Sequence, residues 1–203
     1  MLLQGKTAII TGCNRGIGKA ILETFAENGA DIFACVRKES DEFTEIKEKL
    51  EDKTGVTITP VFFDFSESEQ VKAGIKTIMS AKKKIDVLVN ADTAPWPDPI
   101  DSTLTDECVQ AVNVNISGQA LTSDEMLPFM SIQKTGGLMV GVAVEDEVMM
   151  ALKTIAEPGL PSSVAAVISP MTALAASRGI TLRVLPAGRP EELAEVVVGL
   201  VNG

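Results

Sequence analysis

The sequence contains no histidine and no tyrosine in its 203 residues. Histidine is the side chain that most often moves protons near neutral pH and the commonest metal ligand, and tyrosine is another frequent proton donor. Their absence excludes histidine-based catalytic triads, histidine metal sites and any reaction that depends on a tyrosine hydroxyl. A proton donor within this sequence must therefore be of another kind.

Cysteine and long apolar runs are also scarce. The three cysteines, Cys13, Cys35 and Cys108, are odd in number and lack metal-ligand spacing, so we expect no metal site and a reducing, cytoplasmic setting. No apolar run approaches the roughly 18 residues that cross a bilayer, and the first residues lack a signal-peptide pattern. The net charge of −10 disfavours binding to nucleic acid or to an anionic membrane.

What the sequence does contain is a regular alternation of apolar runs and helical patterns. The apolar runs are continuous, which is typical of strands covered on both faces of a parallel sheet. The pattern predicts a single domain over residues 1–203, a doubly wound, Rossmann-type α/β fold with about six strands and helices on both faces. The predicted strands span residues 7–11, 31–36, 57–63, 85–90, 137–142 and 181–185.

The two halves of the sequence differ in composition. Residues 1–90 are nearly neutral, whereas residues 91–203 hold most of the net negative charge and most of the prolines. The break follows Asn90, where a doubly wound fold places its ligand crevice. We therefore expect a cofactor-binding half over residues 1–90 and a degenerate substrate half over residues 91–203. Drift around a site and a join of two related parents both explain the break.

Residues 11–18 read TGCNRGIG and stand between the first predicted strand and a helical pattern. A strand that turns sharply into a helix leaves N–H groups unpaired at the helix N-terminus, where they favour a phosphate. Gly12 makes room for the turn, and Gly16 and Gly18 let a phosphate and the helix approach closely. This context predicts a dinucleotide site, with a plain structural turn as the alternative.

The TGxxxGIG spacing resembles that of the short-chain dehydrogenase/reductase family, and within it the 3-oxoacyl-acyl-carrier-protein reductases. The similarity is strongest in GKTAIITGCNRGIGKA, FFDF and IDVLVN, and continues in NVNISG and SRGITLRVLPAG. The resemblance implies that Asp64 accepts a hydrogen bond from adenine, that Asn90 lies beside the cofactor and that Asn115 supports a proton relay. The expected cofactor site comprises Gly12, Asn14, Arg15, Gly16, Ile17, Gly18, Arg37, Lys38, Asp64 and Asn90.

The end of the second predicted strand, in IFACVRKES, bears on the choice of cofactor. A carboxylate here would bind a ribose 2′-hydroxyl and repel a 2′-phosphate. The sequence has Arg37 and Lys38 instead, with Arg15 in the glycine loop. Because the donors of arginine suit a phosphate, the sequence favours NADP over NAD. Solvated loop charges are the alternative interpretation of Arg37 and Lys38.

The catalytic residues that the resemblance implies are not recognisable. They are a tyrosine, a lysine four residues later and a serine after the fifth strand. The serine position falls on Ala143. The tyrosine and lysine positions fall on Glu157 and Pro161, or with a short gap on Leu160 and Val164. None of these side chains forms an acid–base pair of the required type.

Other departures lie at the mouth of the predicted site. Asp92 stands where the family has a glycine, and its carboxylate would oppose cofactor phosphates. The segment between VLPAG and the last helical pattern is short and no strand follows, so we expect most of the substrate lid to be absent. The run from Glu145 to Glu147 could supply a carboxyl proton donor and Lys153 a ribose contact, although solvated surface charge also explains both.

Two functions stay open at this point. The first is an NADP-dependent reductase of a small carbonyl or acyl-thioester substrate, as the resemblance implies, with little or no activity. The second is a non-catalytic module that keeps the fold for nucleotide binding or assembly, because losing several parts of a catalytic unit leaves only the effect of binding. The resemblance also implies a possible homodimer through the helices from Asp106 to Met130 and from Ser162 to Ser177.

Overall fold

Six parallel strands form one sheet in the computed structural model, which describes residues 1–81, 83–95, 106–133, 135–143 and 171–202. The strands are β1 (Thr7–Thr11), β2 (Asp31–Val36), β3 (Ile58–Phe62), β4 (Val87–Asn90), β5 (Gly137–Ala143) and β6 (Ile180–Pro186). Their order across the sheet is β3-β2-β1-β4-β5-β6, and every neighbouring pair is parallel. The predicted doubly wound α/β fold is confirmed.

The helices that follow the first three strands begin and end at local signals in the sequence. They are α1 (Gly16–Glu27), α2 (Asp41–Thr54) and α3 (Ser68–Ser80). The Ser40 hydroxyl accepts a hydrogen bond from the Phe43 N–H at the start of α2, which supplies an N-terminal cap. Gly55 ends α2 in a left-handed conformation with φ of 73°, a conformation that glycine adopts with little strain.

One long helix follows β4 and contains an irregular turn. It consists of α4 (Asp106–Val112), a π-helical segment (Asn113–Gly118) and α5 (Gln119–Ile132). The predicted helix from Asp106 to Met130 is therefore present but not uniform. The last helix of the described chain is α6 (Pro190–Asn202), and residues 171–177 are also helical. The rest of the second predicted pairing helix, residues 162–170, lies outside the described residues.

The helices cover both faces of the sheet. Successive residues of a strand point to opposite faces: in β1, Ala8 and Ile10 belong to the apolar core on the side of α1 and α6, and Ile9 belongs to the core on the side of α3 and α5. Burial on both faces explains why the strands are continuous apolar runs rather than alternating ones.

The strand order reverses its direction between β1 and β4, which sets the place of the site. The chain proceeds from β1 outward to β2 and β3, then returns to the other side of β1 to form β4. In open parallel sheets, the crevice for a ligand lies beyond the carboxyl ends of the strands at such a point. Here that crevice is bounded by the glycine loop after β1 and by residues 91–95 after β4.

Candidate functional site

The glycine loop turns so tightly that two of its glycines cannot carry a side chain. A Cβ atom on Gly18 would lie 2.2 Å from the carbonyl oxygen of Gly12, and one on Gly12 would lie 2.8 Å from the Cα atom of Asp92. Gly16 differs, because nothing lies within 4 Å of its Cβ position, although its φ of 52° is left-handed. Gly12 and Gly18 therefore permit close backbone packing, and Gly16 leaves space on the open side of the loop.

The loop leaves amide groups free at the start of α1. The N–H groups of Gly12 and Cys13 both donate to the carbonyl oxygen of Cys35, at 3.0 and 3.3 Å. No described residue accepts a hydrogen bond from the N–H groups of residues 16–18 in the first turn of α1. Unpaired first-turn amides are suited to binding an anion. The anion-binding donors therefore lie nearer to the helix than to Cys13.

The segment after β4 is held in place by two side chains. The hydroxyl oxygen of Thr11 accepts hydrogen bonds from the N–H groups of Ala91 and Asp92, both at 3.0 Å. The side-chain amide of Asn115 accepts from the N–H of Ala94 at 2.9 Å and donates to the Ala94 carbonyl oxygen at 2.8 Å. Residues 91–94 are thus tied to the end of β1 and to the π-helical segment.

The π-helical segment between α4 and α5 determines where the Asn115 side chain lies. Asn115 lies in the π-helical segment with 1% of its surface exposed, and both polar atoms of its amide bond Ala94. An inserted π turn changes the direction of side chains along a helix and is frequent at functional sites. The structure gives Asn115 a role in positioning residues 91–95, and its implied part in a proton relay stays a prediction.

A cavity of about 350 Å³ lies between the glycine loop and the segment after β4. It is lined by Gly12, Arg15, Gly16, Ile17, Ala91, Asp92, Thr93, Ala94 and Pro95. Of the predicted cofactor residues, Gly12, Arg15, Gly16 and Ile17 are brought together at this wall. Gly18 lies behind the wall, where its lack of a side chain allows the turn, and Asn14 is exposed beside the loop.

Asp92 places a carboxylate in the wall of this cavity. The residue is half-buried, and burial raises the pKa of its carboxyl group. The positive charges of Arg37 and Arg15 act in the opposite direction, and the negative charge of Asp64 adds to the effect of burial. The guanidinium group of Arg15 also reaches to 3.5 Å from the carbonyl oxygen of Thr93. The cavity therefore combines arginines with a carboxylate.

Arg37 and Asp64 form an ion pair at the ends of β2 and β3. The guanidinium Nε of Arg37 lies 3.1 Å from a carboxylate oxygen of Asp64, and Arg37 is about half exposed. Partial burial acts to raise the pKa of Asp64, but hydrogen bonds from the Ser66 hydroxyl and N–H and the charge of Arg37 hold it below its usual value. Lys38 is exposed beside Arg37.

Asn90 lies below the cavity rather than in its wall. Its side chain is 1% exposed and donates to the Gln119 carbonyl oxygen at 3.2 Å and to the Ser123 hydroxyl at 3.0 Å. The Gln119 side chain donates in turn to the Val142 carbonyl oxygen at 2.8 Å. Asn90 therefore ties β4 to α5, and its implied contact with a cofactor stays a prediction that this placement does not favour.

The catalytic positions can be described only in part. Ala143 ends β5, is buried, and bonds only through its backbone, accepting a hydrogen bond from the N–H of Ala187 at 2.7 Å. It has no hydroxyl to offer a substrate. The other positions considered in the sequence lie outside the described residues: Glu145, Asp146, Glu147, Lys153, Glu157, Leu160, Pro161 and Val164.

Thr11 is a site residue that the sequence analysis missed. The residue is 1% exposed, and its hydroxyl fixes the segment that carries Asp92. The available signal was its position at the end of a buried apolar strand, directly before the first glycine of the loop. A buried threonine at such a place must pair its hydroxyl with a neighbouring backbone group.

Within the described ranges there is no group of three or more histidine, cysteine or carboxylate side chains placed to hold a metal ion. None of the helices described is both long enough and apolar enough to span a bilayer.

Comparisons with known proteins agree with this geometry. Residues 6–176 match the family model of the short chain dehydrogenases. A 7alpha-hydroxysteroid dehydrogenase of Paraclostridium sordellii is 33% identical over 144 residues, which are 70% of this chain and 53% of that protein. A 3-oxoacyl-acyl-carrier-protein reductase of Thermotoga maritima is 31% identical over 142 residues, 68% of this chain and 56% of that protein. The chain thus spans about half the length of the curated relatives it matches.

Solved structures show the same fold. A metagenomic short-chain oxidoreductase in complex with NADP superposes with a TM-score of 0.84 at 19% identity, covering 100% of this chain and 93% of that one. L-sorbose reductase from Gluconobacter frateurii, complexed with NADPH and L-sorbose, superposes with a TM-score of 0.80 at 22% identity. The match covers 98% of this chain and 90% of that one. With the sheet order, the glycine loop and the family match in agreement, the chain belongs to the short-chain dehydrogenase family.

Proposed function

We propose that this chain binds NADP(H) at the glycine loop as an oxidoreductase of its family, and that it has little or no reductase activity. The observation that carries the proposal is the cavity itself, in which Gly12, Arg15, Gly16 and Ile17 face residues 91–95 across the switch point of the sheet. This is the place where doubly wound folds bind dinucleotides.

The residues present fit the phosphates of a dinucleotide. The first-turn amides of α1 and the open side of Gly16 suit the pyrophosphate, since a Cβ would fill the turn at Gly12 and Gly18 but nothing obstructs Gly16. Arg37 and Lys38 at the end of β2 suit a 2′-phosphate, with Asp64 beside them for the adenine. Solved relatives in complex with NADP or NADPH support the choice of cofactor.

When bound, NADPH supplies a hydride, and the protein must supply a proton to the reduced carbonyl. The 203 residues contain neither tyrosine nor histidine, and Ala143 at the end of β5 has no polar side chain. Both polar atoms of the Asn115 amide are hydrogen-bonded to the Ala94 backbone. The described residues of the site are therefore suited to binding and positioning a ligand rather than to transferring protons, which supports low activity on a small carbonyl or acyl-thioester substrate.

A second candidate is a non-catalytic nucleotide-binding or assembly module. It is favoured by the same pair of observations, an intact glycine loop together with a sequence that has neither tyrosine nor histidine. A homodimer fits either function, because Val109 and Val112 on α4 and Leu174 in the helical residues 171–177 are exposed apolar side chains. We also propose a reducing, cytoplasmic setting, since Cys13 and Cys35 are free and buried. Light scattering after size exclusion tests the dimer.

The binding proposal is tested by titrating NADPH fluorescence with the purified chain and with Gly18→Ala. The substitution drives a Cβ into the Gly12 carbonyl, so it should abolish saturable binding. The matched control is Gly199→Ala, where nothing lies within 4 Å of the new Cβ, and it should bind like the parent. Absence of binding by the parent, or equal binding by a folded Gly18→Ala variant, would refute the proposed site.

A further inference from the structure

We propose that the Asp92 carboxylate is a fixed negative charge in the cavity wall and that it determines which ligands the cavity selects. It opposes the binding of ligands in proportion to their negative charge. The inference rests on the proposed function, because the ligands concerned are nucleotides bound at the glycine loop. It makes Asp92 a specificity-determining residue, and its carboxylate a competitor for the cations that would otherwise bind phosphate.

The backbone of Asp92 cannot move away from the loop without breaking other contacts. Its N–H is bonded to Thr11, and its Cα would lie 2.8 Å from a Cβ on Gly12, so the two segments are packed together. Two residues further along, Asn115 holds the Ala94 backbone at both its N–H and its carbonyl. These contacts fix the segment on either side of the carboxylate, which therefore remains at the cavity wall when a ligand enters.

The charges around Asp92 are of both signs. Arg15 and Arg37 are the cations whose charge acts on the Asp92 carboxyl, and Asp64 is a second carboxylate acting on it. Arg37 is already paired with Asp64 at 3.1 Å. The side chain of Arg15, which lines the cavity with Asp92, is bonded only to the carbonyl oxygen of Thr93 among the described residues. A phosphate at Arg15 would therefore lie close to the Asp92 carboxylate, while exposed Lys38 and the amides of α1 add positive character at this corner.

Replacing the carboxylate by an amide separates charge from shape. Asp92→Asn keeps the size of the side chain and an oxygen that can accept a hydrogen bond, but it removes the negative charge. It should therefore remove the repulsion between position 92 and ligand phosphates and leave the charge of Arg15 unopposed in the cavity wall. The gain should be largest for NADPH, smaller for NADH, which lacks the 2′-phosphate, and absent for adenosine, which has no phosphate.

The experiment measures the dissociation constants of NADPH, NADH and adenosine by isothermal titration calorimetry at neutral pH and low salt. The variants are the parent, Asp92→Asn and a charge-matched control, Asp52→Asn. The exposed side chain of Asp52 lies in the last turn of α2, which leads into the start of β3, whereas the cavity lies beyond the carboxyl ends of the strands. We expect Asp92→Asn to tighten NADPH binding about tenfold and to leave adenosine within about twofold. Added salt should reduce this gain in NADPH affinity. Asp52→Asn should bind all three ligands like the parent.

The outcomes separate this inference from the proposed function. Unchanged or weaker NADPH binding in Asp92→Asn, with normal binding by the parent, overturns the inference alone; weaker binding would mean that the carboxylate accepts a ribose hydroxyl. An equal gain for adenosine also overturns it, because shape rather than charge would be responsible. Binding by Asp92→Asn alone supports the inference and shows that the unaltered chain does not hold the cofactor. No binding by either folded protein overturns both.

Discussion

The N–H of Asp92 donates to the hydroxyl oxygen of Thr11 over 3.0 Å, and this contact joins the two sides of the candidate site. The same oxygen accepts the N–H of Ala91 at 3.0 Å. One buried hydroxyl at the end of β1 therefore sets the path of the chain after β4. The position of the Asp92 carboxylate follows from that path.

Thr11→Val tests this contact directly. Valine keeps the shape of threonine but leaves two N–H groups without their acceptor, each at a penalty of about 1–3 kcal/mol. We expect the free energy of unfolding to fall by about 2 kcal/mol or more, as measured by chemical denaturation. Thr11→Ser, which keeps the hydroxyl, should lose less; equal losses in the two variants would show that the hydrogen bonds do not stabilise the segment.

Gly118→Ala tests the packing of the irregular helix. A Cβ at Gly118 would lie 2.6 Å from the carbonyl oxygen of Phe65 and 2.6 Å from its ring, so we expect destabilisation of about 1–3 kcal/mol. Gly199→Ala in α6 is the matched control. Nothing lies near its Cβ, and alanine favours a helix over glycine, so it should stabilise by about 0.5–1 kcal/mol. A Gly118→Ala variant as stable as the parent would contradict the packing.

Arg37→Gln tests the preference for NADP. Removing the guanidinium should weaken NADPH binding about tenfold, because hydrogen bonds to charged groups contribute about 1.5–3 kcal/mol. It should change the binding of NADH little. Competition binding of the two cofactors provides the ratio. Arg189→Gln, which removes an exposed arginine paired with Glu192 in α6, serves as the charge control. If NADPH and NADH weaken equally, Arg37 does not recognise the 2′-phosphate.

The raised pKa of Asp92 predicts how stability changes with pH. The folded chain holds this proton more tightly than the unfolded chain does, so ionisation destabilises the fold as pH rises through the folded pKa. Asp92→Asn does not titrate. Its stability relative to the parent should therefore increase from about pH 4 upward and level off above the folded pKa. Denaturation across this range is the measurement, and a constant difference would contradict it.

Other titratable groups bear on the same experiment. Those that face Asp92 are Arg15, Arg37 and Asp64, with the buried thiols of Cys13 and Cys35 nearby. Asp64 acts in the opposite direction, because its lowered pKa contributes stability that is lost as pH falls through the folded value. It titrates in the parent and in Asp92→Asn alike, so comparing the two variants removes most of its contribution.

The sheet could be predicted from sequence because its strands are buried on both faces and leave continuous apolar runs. The long helix was predicted as uniform, since the residues NVNISG carry no local signal for a π turn. Residues of that turn contact segments outside the helix: Asn115 bonds the Ala94 backbone, and Gly118 packs closely against Phe65. Tertiary contacts of this kind cannot be read from hydrophobic periodicity.

The candidate site was predictable to the same limited extent. The glycine spacing located the loop, because only glycine tolerates the approaches at Gly12 and Gly18. The sequence did not indicate that Asn90 turns into the interior, that Arg37 pairs with Asp64, or that Thr11 holds the opposite segment. Each of these depends on residues between 27 and 81 positions apart in the chain, which meet only when the sheet forms.

We propose that the site holds NADPH but does not catalyse its oxidation. One measurement tests both parts: NADPH fluorescence is titrated to saturation with the chain, and an acetoacetyl thioester is then added to the same sample. We expect saturable binding followed by no loss of NADPH beyond the rate without protein. A failure to saturate, or NADPH oxidation above that background, would contradict it.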